Sequence, residues 1–172
     1  IVQAAGKRLD VGSKASPCVV DWNEDGKKDL VMGNGSGEIF LYLNEGTDDQ
    51  PIFGKPIKLN GGSLDVGSNS SPDMADWNGD GKKDLIIGNS EGEIFVFLNK
   101  GTNEDPQYSN EGDKLPLKFG QDASPQVISW GRPGSNDLVV ADRNGEVTLC
   151  INTGGPQAPK LPEKKVFRAG KR

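Results

Sequence analysis

Two nine-residue segments of the chain carry oxygen-bearing side chains at a spacing that suits a metal ion. In both segments such side chains stand at the first, third, fifth and ninth positions, and a glycine stands at the sixth. A lysine at the seventh position can offer only its backbone carbonyl. Several carboxylates, and a glycine where the chain curls round the ion, are typical of a Ca²⁺ loop. The predicted ligands of two Ca²⁺ sites are Asp21, Asn23, Asp25, Lys27 and Asp29, and Asp76, Asn78, Asp80, Lys82 and Asp84.

An EF-hand and a metal-free turn both fit the residues of these segments less well. An EF-hand would need a glutamate at the twelfth position, where Met32 and Ile87 stand, and no helix pattern flanks the loops. A metal-free turn rich in Asp, Asn and Gly is the alternative, but its three carboxylates would repel one another without a cation. Magnesium is less suited because it prefers a tighter octahedron and keeps more waters. A third copy, Ser129–Asp137, keeps only its last acidic residue and is predicted to bind no ion.

The composition excludes several classes of function. The 172 residues include no histidine, which removes His-based catalysis and His-ligated metals. The net charge of −5 argues against a nucleic-acid partner, which needs a basic face. The longest apolar runs, Ile39–Leu43 and Ile94–Leu98, are far shorter than the roughly 20 residues that cross a bilayer, so no membrane insertion is predicted. Cys18 and Cys150 are too few for a disulfide framework and are expected to be buried free thiols.

The chain is built from three copies of one unit. Asp21–Gly46 recurs without a gap as Asp76–Gly101, and a weaker third copy begins at Leu117. The first eight residues resemble Lys165–Arg172, so we expect them to be the tail of a preceding unit and the chain to be a window cut from a longer array. The predicted bounds of this tail and of the three units are 1–8, 9–63, 64–116 and 117–172.

Each unit is predicted to hold four short strands. In the first unit these are Ser16–Asp21, Asp29–Gly33, Glu38–Asn44 and a poorer strand over Pro51–Leu59, which Pro56 interrupts. The third strand is apolar without alternation, so both of its faces should be covered. Stacked sheets of this kind predict an all-β fold, a β-propeller with three four-stranded blades in this chain. A β-sandwich is the alternative, although apolar and polar residues would then alternate along its strands. Propellers usually have about four to eight blades, so we expect a larger ring, completed by more of the same polypeptide or by a second copy in a 3 + 3 homodimer.

The motif pattern resembles the FG-GAP/VCBS repeat family. It reads Ser-Pro-x-x-x-Asp-Trp-Asn-x-Asp-Gly-Lys-Lys-Asp-Leu from Ser16 and again from Ser71, followed in both units by Gly-Glu-Ile-Phe and Leu-Asn-x-Gly-Thr. The resemblance implies propeller blades, as in integrin α-subunit heads and secreted bacterial proteins, with Ca²⁺ in the loop between the first two strands of blades 1 and 2. Val11-Gly12 and Val66-Gly67 replace the Phe-Gly element, so the bacterial type is the closer match and integrin-like ligand binding is not implied.

Three functions are consistent with these features. The first is a secreted, extracellular, cell-surface or periplasmic Ca²⁺-binding scaffold, because sites of roughly 10⁻⁴–10⁻³ M fill only where calcium is abundant. The second is a carbohydrate-binding or adhesion propeller that uses Trp22, Trp77 and Trp130, although a tryptophan kept where the ion site is lost is expected to pack the blade. The third is a non-catalytic part of a polysaccharide-acting enzyme. Asp10 and Asp65 recur, but nothing pairs a base with a nucleophile, so no enzyme activity is predicted. Expected partners are the remaining blades and a glycan or protein ligand.

Overall fold

Short strands form most of the regular structure of the chain. The computed structural model describes residues 2–62, 64, 66–155 and 157–167. Predicted features that involve Ile1, Asp65 or residues 168–172 therefore lie outside the described residues. The strands, in chain order, are β1 (Gln3–Ala4), β2 (Lys7–Arg8), β3 (Ser16–Val20), β4 (Asp29–Gly33), β5 (Ile39–Tyr42), β6 (Ile57–Lys58), β7 (Ser71–Ala75), β8 (Asp84–Gly88), β9 (Ile94–Phe97), β10 (Asp113–Lys114), β11 (Ser124–Ile128), β12 (Asp137–Ala141), β13 (Val147–Cys150) and β14 (Lys165–Phe167).

These strands form three four-stranded sheets and a two-stranded ribbon, all antiparallel. Sheet 1 has the order β3-β4-β5-β6, sheet 2 the order β7-β8-β9-β10, and sheet 3 the order β11-β12-β13-β14, while β1 pairs with β2. Each large sheet is a meander, because strands that are consecutive in the sequence are neighbours in the sheet. The prediction of an all-β fold is confirmed. A 3₁₀ turn covers Leu59–Gly62, and no helix in the described residues has the length and apolar character of a membrane span.

The predicted fourth strand of the first unit was too long. Only Ile57–Lys58 pairs with β5, while Phe53 makes an isolated bridge to Asn44. Pro51 and Pro56 have no N–H group to donate, so the segment between them cannot extend the ladder as one strand. The first three strands of the unit lie within one or two residues of their predicted bounds.

Apolar cores fill the two spaces between neighbouring sheets. Sheet 2 lies between the other two, and every residue of β8 is buried. On the other face of sheet 1, a smaller cluster includes Ala4 and Val11, which precede the sheet in the sequence. The core between sheets 1 and 2 includes Trp22, Val31, Leu41, Leu85, Ile87 and Phe97, and the core between sheets 2 and 3 includes Trp77, Ile86, Val96, Leu138, Val140 and Cys150.

The first strands of the three sheets lie side by side. Strand β7 contacts both β3 and β11. The hydroxyl oxygen of Ser71 lies 2.8 Å from that of Ser16 and 2.8 Å from that of Ser124, so a chain of hydroxyl hydrogen bonds crosses all three strands. The sheets therefore stack through equivalent edges, with one repeat unit following the next.

Candidate metal centre

Loop 1 (residues 21–29), loop 2 (residues 76–84) and loop 3 (residues 129–137) each lead from the first to the second strand of a sheet. The glycine at the sixth position has a positive φ in all three loops: 81° at Gly26, 85° at Gly81 and 73° at Gly134. An L-residue with a Cβ adopts this left-handed conformation only at a cost, so the glycine permits the sharp turn that the sequence predicted.

The predicted ligand side chains of loop 1 hydrogen-bond to the backbone of their own loop. Asp21 Oδ2 accepts a bond from the Gly26 N–H at 3.0 Å, and Asn23 Oδ1 accepts one from the Asp25 N–H at 3.4 Å. Asp25 Oδ1 accepts a bond from the Lys27 N–H at 3.0 Å. These bonds curl the backbone round its own side-chain oxygen atoms, which is the arrangement that a cation site of this type needs.

Loop 2 repeats this pattern with small changes. Asp76 Oδ2 accepts a hydrogen bond from the Gly81 N–H at 2.9 Å, Asn78 Oδ1 one from the Asp80 N–H at 3.1 Å, and Asp80 Oδ1 one from the Lys82 N–H at 2.9 Å. The two loops therefore share one backbone hydrogen-bond pattern.

One buried carboxylate oxygen in loop 1 has no hydrogen-bond donor. Among the described residues, the buried side-chain atoms without a partner are Asp21 Oδ1 and Asn152 Nδ2. An unpartnered carboxylate oxygen away from water is costly, and a cation or an ordered water would relieve it. In loop 2 the matching atom, Asp76 Oδ1, accepts a bond from the Asp80 N–H at 3.0 Å. Asp21 Oδ1 is therefore the oxygen atom of loop 1 that a cation or a water would satisfy.

The carboxylates of each loop are not gathered into one cluster. Over residues 2–62, 64, 66–155 and 157–167, no three His, Cys, Asp or Glu side chains lie together in a way that could hold a metal ion. The Lys27 ammonium lies 3.5 Å from Asp25 Oδ2, where the sequence predicted a role only for the carbonyl of Lys27. The amides of Asn23 and Asn78 donate to the aspartate two residues later, at 3.4 Å and 3.0 Å. An ion that uses every predicted ligand would draw these side chains together and displace the ammonium.

The aspartate at the ninth position also has a structural task in every unit. Asp29 Oδ2 accepts a bond from the Trp22 N–H at 2.8 Å, and its Oδ1 accepts one from the Asn44 N–H at 2.7 Å. Asp84 and Asp137 make the same two bonds, each at 2.9 Å and 2.7 Å. We call this pair of hydrogen bonds the clamp, because it joins the loop to the residue that follows the third strand. The clamp is also present in loop 3, where the other acidic residues are absent. These aspartates therefore stabilise the fold whether or not an ion binds.

The electrostatic surroundings of the clamp differ between the loops. Burial raises the pKa of Asp29 and of Asp84, and the charges of other aspartates in the same loop raise it further. Burial also acts on Asp137, but hydrogen bonds from the Ser135 hydroxyl and from backbone N–H groups outweigh it and lower the pKa. Burial and neighbouring aspartates therefore disfavour the charged form of the ninth residue in loops 1 and 2, although backbone N–H bonds oppose this, whereas in loop 3 the hydrogen bonds outweigh burial.

The three tryptophans beside the loops do not share one environment. Trp22 and Trp77 are only 5% and 6% exposed and lie in the cores between sheets. Trp130 is 59% exposed. The prediction that the tryptophans pack the blade is therefore confirmed for the first two and wrong for Trp130, because no sheet follows sheet 3 in the described residues to cover it.

Both cysteines are free thiols, as predicted, but only one is fully buried. Cys150 lies in the core between sheets 2 and 3, whereas Cys18 is half-buried. Burial raises the pKa of the Cys18 thiol to about 12 and that of Cys150 to about 11, so both stay protonated at neutral pH. Neither thiol has the low pKa of a reactive cysteine.

Contacts that join loop 1 to sheet 2 were missed from the sequence. Glu24 Oε1 accepts hydrogen bonds from Lys83 Nζ at 3.3 Å and from Asn103 Nδ2 at 2.7 Å. Lys83 Nζ also donates to the carbonyl of Trp22 at 3.4 Å. Nothing in the sequence marks Glu24 for this role, because the matching residue of loop 2 is Gly79.

Comparison with protein families agrees with the repeat organisation. The model of an FG-GAP-like repeat matches residues 21–87, which run from the start of loop 1 into strand β8. Residues 21–87 of this chain therefore resemble an FG-GAP-like repeat. The matched stretch includes all predicted ligands of both loops.

Integrin α-subunits are among the curated proteins that this chain resembles. Integrin alpha-7 of Homo sapiens is 29% identical over 153 residues, which cover 80% of this chain and 13% of that protein. Integrin alpha-6 of Gallus gallus is 28% identical over 149 residues, covering 78% and 13%, and integrin alpha-4 of Xenopus laevis is 26% identical over 172 residues, covering 89% and 16%. The chain thus spans less than a fifth of the length of these relatives. No solved structure matches it significantly.

Proposed function

We propose that this chain is a segment of an extracellular Ca²⁺-binding β-propeller that acts as a structural and interaction scaffold. The observation that carries the proposal is the buried oxygen Asp21 Oδ1, which has no donor in a loop that otherwise folds round its own carboxylates. Loop 2 has the same backbone pattern, which supports a second site of the same kind. The FG-GAP-like repeats and the integrin relatives support a role in adhesion or interaction rather than catalysis.

The ion would be held by the residues that the spacing predicted. Asp21, Asn23, Asp25 and Asp29 supply side-chain oxygen atoms in loop 1 and Lys27 its carbonyl, and the matching residues of loop 2 do the same. When bound, the ion would supply positive charge to a loop that holds three carboxylates. Its effect would be to rigidify the turn between the first two strands of sheets 1 and 2.

In this proposal sheets 1 to 3 are propeller blades, and further blades complete the ring. Two observations support it: each sheet is a four-stranded meander, and equivalent first strands lie side by side. Sites of roughly 10⁻⁴–10⁻³ M suit a location outside the cytoplasm. A carbohydrate-binding role would have to rely on Trp130, since Trp22 and Trp77 are buried.

Calorimetry with and without calcium tests the proposal. At a Kd near 10⁻⁴ M, about 1–2 mM calcium should stabilise the chain by roughly 1–2 kcal/mol per site, and the Tm should rise accordingly. Asp21→Asn and Asp76→Asn should each remove about half of this gain and reduce the titrated stoichiometry from two ions to one. Ser129→Ala, at the matching position of loop 3, is the control and should leave the gain unchanged. A Tm that does not respond to calcium would contradict the proposal.

A further inference from the structure

Some asparagine residues of the chain are followed directly by glycine, a sequence that can change chemically without an enzyme. The pairs are Asn34-Gly35, Asn60-Gly61, Asn78-Gly79 and Asn144-Gly145. Glycine has no Cβ, so its backbone nitrogen can reach the side-chain carbonyl carbon of the asparagine before it. In a folded protein this attack needs a glycine N–H that is not held in a hydrogen bond and an asparagine side chain that is not locked in the core.

Backbone hydrogen bonds hold the glycine nitrogen of two pairs. The Gly35 N–H donates to the Ser13 carbonyl at 2.7 Å, and the Gly145 N–H donates to the Asp142 carbonyl at 3.0 Å. Asn34 is also only 4% exposed. The folded structure therefore protects both of these pairs, and the one at Asn34 most strongly.

The pair Asn78-Gly79 of loop 2 is not held in this way. Gly79 is exposed and has a φ of 72°, and no hydrogen bond from its N–H is found among the described residues. Asn78 is half-buried at the surface of the loop. By contrast, Asn60 lies within the 3₁₀ turn, where its Nδ2 donates to Asn110 Oδ1 at 2.8 Å. Loop 2 thus presents the most reactive pair.

The side-chain amide of Asn78 is also oriented by Asp80. The Asp80 N–H donates to Asn78 Oδ1 at 3.1 Å, and Asn78 Nδ2 donates to Asp80 Oδ2 at 3.0 Å. Attack at the carbonyl carbon places negative charge on Oδ1, and an N–H donor within hydrogen-bond distance stabilises such an oxyanion. The loop therefore favours the step in which the glycine nitrogen adds to the amide.

We infer that Asn78 is a site of spontaneous deamidation, with water as the co-reactant. The Gly79 nitrogen forms a bond to the side-chain carbonyl carbon of Asn78. The bond from that carbon to Nδ2 breaks, and the proton from the Gly79 nitrogen leaves with this group as ammonia. Water then opens the five-membered imide at either carbonyl group, which gives aspartate or isoaspartate. Both products add a carboxylate to loop 2, and in isoaspartate the backbone runs through the former side chain.

Loop 1 contains the same turn without the glycine. Glu24 stands at the fourth position and has the same left-handed conformation, with a φ of 62°. Asn23 Oδ1 accepts a bond from the Asp25 N–H at 3.4 Å, as its counterpart does in loop 2. The Cβ of Glu24 crowds its own nitrogen, and its carboxylate is held by side chains of the second unit. We therefore expect Asn23 to keep its amide, so that ageing makes the two loops different.

Peptide mapping by mass spectrometry, after incubation of the 172-residue chain at mildly alkaline pH, tests the inference. Incubation in a chelator keeps the test independent of calcium. In the folded chain we expect Asn78 to deamidate ahead of the other Asn-Gly pairs, while Asn23 stays unchanged. In urea the Asn-Gly pairs should react at similar rates, because no fold protects any of them.

Gly79→Glu and Glu24→Gly exchange the fourth residues of the two loops and form a matched pair of variants. Deamidation of Asn78 should be lost in the first variant, and Asn23 should begin to deamidate in the second. Loop 1 already accepts a glutamate in this conformation, so Gly79→Glu should fold. A cooperative thermal transition checks that each variant is folded.

Deamidation of Asn34 or Asn144 ahead of Asn78 in the folded chain would overturn the inference. So would a folded Gly79→Glu variant in which Asn78 reacts as fast as in the parent, or the same lead of Asn78 in urea as in buffer. A Tm that does not respond to calcium would contradict the proposed Ca²⁺ sites and leave the order of deamidation unaffected.

Discussion

Ser135 Oγ donates a hydrogen bond to Asp137 Oδ2 over 2.6 Å, at the position that Lys27 and Lys82 occupy in the other two loops. The Gly131 N–H donates to the same oxygen at 2.9 Å. Loop 3 thus surrounds its one remaining carboxylate with donors of its own. The unit therefore keeps the clamp and the turn without the acidic residues that a cation would need.

Ser135→Ala should lower the free energy of unfolding by about 1–2 kcal/mol, because it leaves a buried carboxylate with one donor fewer. The loss should be equal with calcium and with a chelator, since loop 3 lacks the acidic ligands. Urea unfolding in both conditions measures it. Ser36→Ala, at an exposed serine, is the control. A loss that appears only with calcium would show that loop 3 takes part in ion binding.

The repeat period and the loop spacing made most of the fold predictable. Strand β4 begins and ends at the residues predicted, because Asp29 closes the loop and Gly33 ends the apolar run. The spacing also identified the turn glycines Gly26 and Gly81. These features are local, so the order of residue types along the chain determines them.

Contacts between sheets were not predictable in the same way. Glu24 bonds to Lys83 and Asn103 across a junction, and these three residues follow no motif that pairs them. Trp130 is exposed because no further sheet covers it in the described residues. Its position within the repeat is the same as that of Trp22 and Trp77, so the motif alone predicts the same burial for all three. Motifs therefore predicted the candidate ligands, whereas the positions of their side chains depend on tertiary contacts and on charge.

The three tryptophans provide an internal comparison of burial. Trp22→Ala and Trp77→Ala should each lower the free energy of unfolding by about 3–5 kcal/mol, because each leaves a cavity between two sheets. Trp130→Ala should change it by no more than about 0.5 kcal/mol where the chain is monomeric, since that ring is largely solvent-exposed. Chemical denaturation of the three variants at low protein concentration measures the differences. An equal loss in all three would contradict the difference in burial between Trp130 and the other two rings.

Gly33 lies where sheet 1 closely approaches the segment that leads into sheet 2. A Cβ there would meet the backbone carbonyl of Ser70 at 2.1 Å, and backbone cannot move aside as a flexible side chain can. Gly33→Ala should therefore lower the free energy of unfolding by roughly 1–3 kcal/mol. Gly155→Ala is the control, because nothing lies within 4 Å of a Cβ at that position. Equal stability of the two variants in thermal unfolding would show that the sheets can separate locally without loss.

Asp73 should make the free energy of unfolding decrease as pH rises, whereas a carboxylate that forms an ion pair on the surface makes it increase. It lies between sheets, where its Oδ2 accepts a bond from the Val127 N–H at 2.6 Å and its Oδ1 lies 3.7 Å from the Cys18 thiol. Burial raises the pKa of Asp73 above its usual 3.8, although these hydrogen bonds oppose the shift. Because the folded pKa is the higher one, the stabilising contribution of the protonated acid is complete below the unfolded pKa. It is lost as pH rises through the folded pKa.

Asp73→Asn keeps an oxygen for the Val127 N–H but does not titrate. Its free energy of unfolding relative to the parent should therefore increase as pH rises from below 3.8 towards neutrality. Asp122→Asn should have the opposite pH dependence, because the pKa of Asp122 is lowered. Burial alone would raise this pKa, but hydrogen bonds from Asn69, Arg143 and Lys14 outweigh it. That variant should lose stability relative to the parent over the same rise in pH. Urea unfolding of the three proteins at several pH values, in chelator, measures both slopes. Slopes of the same sign would show that burial does not dominate at Asp73.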